Sequence, residues 1–271
     1  MMTNHPYQLM LSDVDGTLLR TDKQLSEANI AAVQRLRDAG INFTLVSSRP
    51  PRAMRWLIDA LDITLPVAAF NGGTLLQPDG SLLETHRLER KVVETVFQRL
   101  KGEELDIWVF ADDQWLIDNP DNDYNGHEEK ALGYGPVLVE RFDEYLDRVD
   151  KLVAVSKNHN RLTVLQQELD TALGEQAHTV RSQPYYLDIT APQASKGHAL
   201  IALAERLGVP LERTVAIGDG ENDISMLQKA GLSIAMGQAE DAVKSHAMHT
   251  TAETNKDGLA EAIDTWVLAT T

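Results

Sequence analysis

Short apolar runs alternate with amphipathic stretches along the first third of the chain. Residues 7–11, 42–46 and 67–70 read as buried strands, and 27–39 and 52–61 between them read as helices. In the first of these helices Ile30, Val33 and Leu36 recur at i, i+3 and i+6, and Gly40 follows as a stop. Pro50-Pro51 suits the first turn of the second. Strand–helix–strand alternation of this kind predicts a doubly wound parallel sheet with helices on both faces. After Gly72-Gly73 the texture changes. A turn at Pro78-Asp79-Gly80, helices over 89–100 and 161–173, and strands over 106–110, 115–118, 179–181 and 185–190 replace the regular alternation, which resumes with 196–207 and 214–217. The pattern predicts an α/β core formed by 1–81 and 191–271, interrupted by an inserted α/β domain over 82–190. The Asp- and Asn-rich stretch 112–127 has no recognisable metal-ligand spacing and reads as a solvated loop. Internal repeats and low-complexity tracts are absent from the sequence.

Composition narrows the function. The chain of 271 residues carries a net charge of −16, and the insertion holds 22 acidic against 12 basic residues, leaving −6 for the rest. Such a field repels polyanions, so neither nucleic acid nor an anionic membrane is an expected partner, whereas a small anion met by local positive charge is. With no cysteine, thiol nucleophiles, thiolate metal sites and disulfides are excluded. Neither a leader-like N-terminus nor a run of about 18 apolar residues is evident, which makes a cytoplasmic protein the expectation. Oligomeric state is not legible.

Three polar clusters follow predicted strands, at the sheet edge where ligands of open parallel sheets bind. The first is Asp13-Val14-Asp15-Gly16-Thr17. Two carboxylates two residues apart at a strand end can serve as a nucleophile or metal ligand and as a proton-transfer group. The second, Ser47-Ser48-Arg49, offers hydroxyls and amides to phosphate oxygens. The third, Gly218-Asp219-Gly220-Glu221-Asn222-Asp223, adds acidic ligands for a hard cation. Calcium loops of the EF-hand type fail on both acidic clusters, because counting from Asp13 or Asp219 puts no glycine or glutamate where that loop needs them. Glu221 reads as a first-turn helix residue, and His246 and His249 as structural or surface histidines. Several aspartates around a phosphate need compensating charge, which a divalent cation and one lysine, with Lys196 the candidate, would supply. Motifs for glycine-cradled nucleotides and for serine hydrolases are missing.

In order and placement, Asp13 to Thr17, Ser47 with Arg49, Lys196, and Gly218 to Asp223 resemble the four motifs of the haloacid dehalogenase superfamily. Asn71-Gly72-Gly73 and the long insertion before Lys196 further resemble its Cof-type phosphatases, whose α/β cap is inserted after the third core strand. The resemblance spans nearly the whole chain. It implies that Asp13 forms an aspartyl-phosphate and that Asp15 protonates the leaving alcohol and then activates water. Ser47, Lys196 and Asn222 would hold the phosphoryl group, with amides near Val14 and Ser48. Asp13, the Asp15 carbonyl and Asp219 would ligate Mg²⁺, supported by Asp223. Relatives often carry threonine-glycine-arginine where this chain has Ser47-Ser48-Arg49, so Ser48 adds a side chain beside those amides. The expected substrate is a sugar phosphate or similarly small metabolite, met by Arg49, Asn71, Tyr185, Tyr186 and Asp188. A phosphomutase and a non-catalytic metabolite binder are the alternatives.

Overall fold

The computed structural model describes residues 5–269. Its strands are β1 (Leu9–Ser12), β2 (Asn42–Leu45), β3 (Val67–Ala69), β4 (Thr74–Leu76) and β5 (Leu82–Thr85), then β6 (Asp106–Ala111), β7 (Gln114–Ile117), β8 (Val137–Leu138), β9 (Val149–Val155), β10 (His178–Gln183) and β11 (Tyr186–Thr190). Three more close the chain: β12 (Thr214–Gly218), β13 (Leu232–Ala235) and β14 (His249–Thr250). The helices used below are α1 (Glu27–Asp38), α2 (Pro51–Ala60), α3 (Arg90–Leu100), α4 (Asn125–Leu132), α5 (His159–Leu173), α6 (Lys196–Leu207) and α7 (Ile224–Leu227).

The core sheet is wholly parallel in the order β14-β13-β12-β1-β2. β1, an interior strand of that sheet, shows why an apolar run was needed. Met10 joins a cluster with Val33 and Leu36 of α1, while Leu9 and Leu11 pack on the other face with Leu200 and Leu203 of α6. A strand covered on both faces has no solvent side to mark with polar residues. Ser26 caps α1 by accepting from the Asn29 amide at 3.2 Å, and Ser195 caps α6 by accepting from the His198 amide at 3.2 Å. Beyond β2, an isolated Val46–Ala68 bridge leads to the small antiparallel sheet β3-β4-β5.

The insertion builds a separate mixed sheet in the order β10-β11-β9-β6-β7-β8. One face buries Val92, Val96 and Leu100 of α3 with Leu162, Leu165 and Leu169 of α5. The other carries Trp108, Phe110, Trp115 and Tyr186, in one cluster with Phe70 and Ala53 of the core. The stretch read as a solvated loop is partly ordered: β7 lies within it, the Asn119 amide donates to Asp106 at 2.9 Å, and α4 begins at Asn125. Among the described residues no helix is long and apolar enough to cross a membrane.

Candidate active site

Asp13 follows the last residue of β1, and its amide donates to the Ile217 carbonyl of β12 at 3.0 Å, so its carboxylate sits where two parallel strands end. Asp219 and Asp223 follow β12 on the same edge. Together with Asp13 they offer carboxylate oxygens within 4.8 Å of one another. Lys196, in the first turn of α6, donates to Asp13 Oδ1 at 2.6 Å and to Asp223 Oδ1 at 2.5 Å, and is 1% exposed. It reaches that point because α6 approaches α7 closely: a Cβ on Gly197 would lie 2.7 Å from the Ser225 carbonyl. Asp223 uses its other oxygen to accept from the Asp219 and Gly220 amides at 2.9 and 2.8 Å.

The electrostatics explain what this cluster lacks. Burial raises the Asp13 carboxyl well above the ordinary range; Lys196 opposes the rise, and Asp223 and Asp219 add to it. Burial and then Asp223 push Asp219 up to about 6, against Gln238, Lys196 and Thr17. Burial would lower the Lys196 ammonium, but Asp13 and Asp223 outweigh it and hold it protonated. One ammonium therefore faces three carboxylates. Hard oxygen donors, unfavourable like charge and close spacing fit a dication such as Mg²⁺. Gly16 leaves room for this approach: its φ is +85°, and a Cβ there would lie 2.3 Å from Asp219 Oδ2.

Asp15 stands outside that trio. Its carboxylate accepts from Arg49 at 2.7 and 2.8 Å and from Lys23 at 2.8 Å. Burial favours its neutral form, but Arg49 and then Lys23 prevail and hold it well below the usual carboxylate range. Lys23 comes from a hairpin turn joined by the Leu19–Leu25 bridge, with its own φ at 67°. Because Lys23 favours the ionised acid, Lys23→Met should raise the Asp15 pKa, which titration of its carboxyl resonance by NMR reads directly. An unmoved titration would show that Lys23 does not set the charge of Asp15.

Of the remaining residues singled out from sequence, Ser47 is buried after β2 and its hydroxyl accepts from the Arg49 amide at 3.2 Å. The Val14 side chain enters the core cluster, which leaves only its backbone for the site. Asn222 donates to Asn71 Oδ1 at 3.0 Å, and Asn71, at φ 58°, is fixed by its amide on the Ser47 carbonyl at 2.7 Å. Arg49 also donates to the Ala131 carbonyl of α4 at 2.8 Å, tying this core loop to the insertion. A cavity of about 380 Å³ lies between the two sheets, bordered by Asp13, Asp15, Asp219 and Asn222 below and by Tyr185 and Tyr186 above. Asp188 lies beneath that upper wall, fully buried, paired with Lys151 at 3.4 Å. Sequence reasoning missed Lys23, His127, Glu128 and Lys151, all of which border the cavity.

Comparison with known proteins places this geometry. Residues 10–263 match the family of haloacid dehalogenase-like hydrolases, and the chain belongs to that family. Its inserted mixed sheet and its relatives set it in the Cof-type phosphatase branch. One relative, an HMP-PP phosphatase of Cronobacter sakazakii, is 32% identical over 84% of this chain and 83% of its own. A 5-amino-6-(5-phospho-D-ribitylamino)uracil phosphatase of Bacillus subtilis is 26% identical over 96% of both chains. The crystal structure of a haloacid dehalogenase-like hydrolase from Bacteroides thetaiotaomicron superposes with a TM-score of 0.85 at 28% identity, covering 95% of this chain and 98% of that one.

Proposed function

We propose that this chain is a Mg²⁺-dependent phosphomonoesterase that passes the phosphoryl group of a small metabolite to Asp13 and then to water. The observation that carries it is the Asp13 carboxylate at the floor of the cavity, held 2.6 Å from Lys196 and grouped with Asp219 and Asp223. Asp13, the Asp15 carbonyl and Asp219 would hold the ion, with Asp223 fixing the loop. When bound, Mg²⁺ would offset the charge of the phosphoryl oxygens.

The chain's own residues supply the rest. An Asp13 oxygen attacks phosphorus in line with the departing ester oxygen, while Lys196, the Ser47 hydroxyl and Asn222 steady the equatorial oxygens. Asp15 enters ionised, which suits it to draw a proton from the water that cleaves the aspartyl-phosphate. To donate a proton to the leaving oxygen Asp15 must first take one up from solvent, which requires Arg49 and Lys23 to loosen their hold on its carboxylate. Since Arg49 also bonds the Ala131 carbonyl, movement of the inserted layer is coupled to that step. We take this layer, bounded near 82 and 190, as the cap that excludes bulk water. The names of the relatives support a phosphorylated small metabolite as substrate without requiring a sugar.

Phosphate release from p-nitrophenyl phosphate and a panel of metabolite esters, with Mg²⁺ or with chelator, tests this reading. Turnover that needs Mg²⁺ is expected, and silence across the panel would overturn it. Stability supplies a second check. The Asp219 pKa in the metal-free fold, about 6, exceeds its ordinary 3.8, so ionising it costs folding energy and metal-free stability should fall as pH rises through that window. Mg²⁺ should raise the melting temperature at pH 8, and this gain should fade below about pH 6 as the carboxylates take up protons. An equal gain at pH 5 would contradict the assignment of these carboxylates to the ion.

A further inference from the structure

Asp219 is held in place from a part of the chain that lies outside the acidic clusters. Gln238 follows β13 by three residues, at the sheet edge where β1 and β12 also end. The Met236 amide donates to the Gly218 carbonyl at 3.0 Å and the Gly237 amide to the Ala252 carbonyl at 3.1 Å, which sets this loop against the segment after β14. A Cβ on Gly237 would lie 2.8 Å from backbone atoms of Thr251, Ala252 and Glu253, so glycine is what lets the two segments meet. The Gln238 side-chain oxygen then accepts from the Thr254 amide at 2.9 Å, and its Nε2 donates to the Gly16 carbonyl at 2.6 Å and to Asp219 Oδ2 at 3.2 Å. Its orientation follows from these neighbours. The Thr254 amide can only donate, so it takes the oxygen, and both N–H groups are left facing acceptors.

Thr254 supports Asp219 by a second route. It is 2% exposed, and its hydroxyl shares one proton between the Leu19 and Thr17 carbonyls at 3.0 and 3.2 Å. Thr17 donates its own hydroxyl to Asp219 Oδ1 at 3.3 Å. Each Asp219 oxygen is therefore held by one neighbour, and Thr254 fixes both neighbours. The restraint has a force to oppose. Asp13 and Asp223 bring like charge into the same cluster, and Asp219 is the one of the three that is not buried, so repulsion favours turning it towards solvent. A carboxylate already fixed when the ion arrives loses less freedom on binding it. Gln238 also grips the Gly16 carbonyl, one residue beyond the Asp15 carbonyl, and so spans both ligand-bearing loops.

We propose that Gln238 and Thr254 are positioning residues for the metal: with Thr17 they hold Asp219, and the loop carrying the Asp15 carbonyl, in the arrangement that takes up Mg²⁺. Neither borders the cavity, so their contribution falls on affinity for the ion and not on the phosphoryl group. This rests on the assignment of the carboxylates to Mg²⁺ above.

Calorimetric titration of the metal-free protein with Mg²⁺, in the absence of substrate, tests it. Gln238→Met keeps the length of the side chain and removes its hydrogen bonds. The dissociation constant should rise by about 10- to 100-fold, the scale on which partners of metal ligands act. Because Gln238 is exposed, the metal-free melting temperature should stay at the wild-type value. The Mg²⁺ concentration giving half-maximal hydrolysis of p-nitrophenyl phosphate should rise by the same factor, while kcat at saturating Mg²⁺ returns towards the wild type. Thr254→Val should weaken binding as well, and Thr254→Ser, which keeps the hydroxyl, should recover it. Arg20→Met is the control. It loosens the same hairpin at its 2.9 Å ion pair with Asp257, without touching Asp219, and should leave the constant unchanged. An unmoved constant in Gln238→Met, weaker binding that comes with a lowered metal-free melting temperature, or equal weakening by Arg20→Met each overturns the positioning role alone. A wild type that binds no Mg²⁺ overturns the metal assignment and the positioning role with it.

Discussion

Asp13→Asn should lower phosphate release by about 10⁴-fold or more, the scale seen when a covalent nucleophile is removed, yet it should not destabilise the fold. Asparagine keeps the shape and loses the charge. In the metal-free protein that charge is unfavourable, because burial, Asp223 and Asp219 together outweigh the help from Lys196 and hold the Asp13 carboxyl well above its ordinary range. Removing it relieves repulsion at the strand end, so the melting temperature without Mg²⁺ should stay level or rise. Activity and stability then move in opposite directions, as expected where a site keeps charges close for chemistry rather than for folding. Scanning calorimetry beside phosphate release checks both halves. A variant that loses activity by losing stability would place Asp13 among structural residues.

Lys196→Met should act the other way, destabilising the protein by about 3–5 kcal/mol as well as abolishing turnover. Methionine fills similar space, so packing is largely kept. What is lost is the ammonium between two carboxylates that are nearly inaccessible: Asp13 is 4% and Asp223 0% exposed. With no cation between them, the pair must take up protons or draw in water. Adding Asp13→Asn to Lys196→Met should recover part of the stability, since one of the orphaned charges goes with it, and none of the activity. Denaturant melts of the single and double variants measure this directly. Additive losses would show that Lys196 and Asp13 are not energetically coupled.

Both effects concern residues that could be read from sequence, and the reasons are local. The strand before Asp13 is apolar on both faces, as only an interior parallel strand needs to be, and its carboxylates follow at once. The cluster after β12 repeats that signal. Lys196 was legible through its place in an ordered set of motifs, since nothing in Ser195-Lys196-Gly197 announces a buried lysine. The inserted layer was harder. In β9 all seven residues are buried, but Asp150 and Lys151 interrupt its apolar run, so the pattern hides a central strand. For α4, Tyr124 provides no side-chain cap and only Asn125 and Leu132 are buried, so neither a start signal nor an amphipathic stripe marks it. Glu128 and His127 ride on that helix. Lys23 reaches Asp15 through a hairpin whose turn sequence resembles any other. These side chains gain meaning from how one layer lies on another, which depends on contacts far apart in the chain.

The central claim is that Asp13 carries the phosphoryl group. Rapid quenching of the Mg²⁺-loaded enzyme during turnover, followed by peptide mass analysis, tests it most directly. A phosphoryl group on the peptide containing Asp13, labile to hydroxylamine and absent from Asp13→Asn, is the predicted result; a phosphoryl group on any other residue, or turnover that persists in Asp13→Asn, would contradict it.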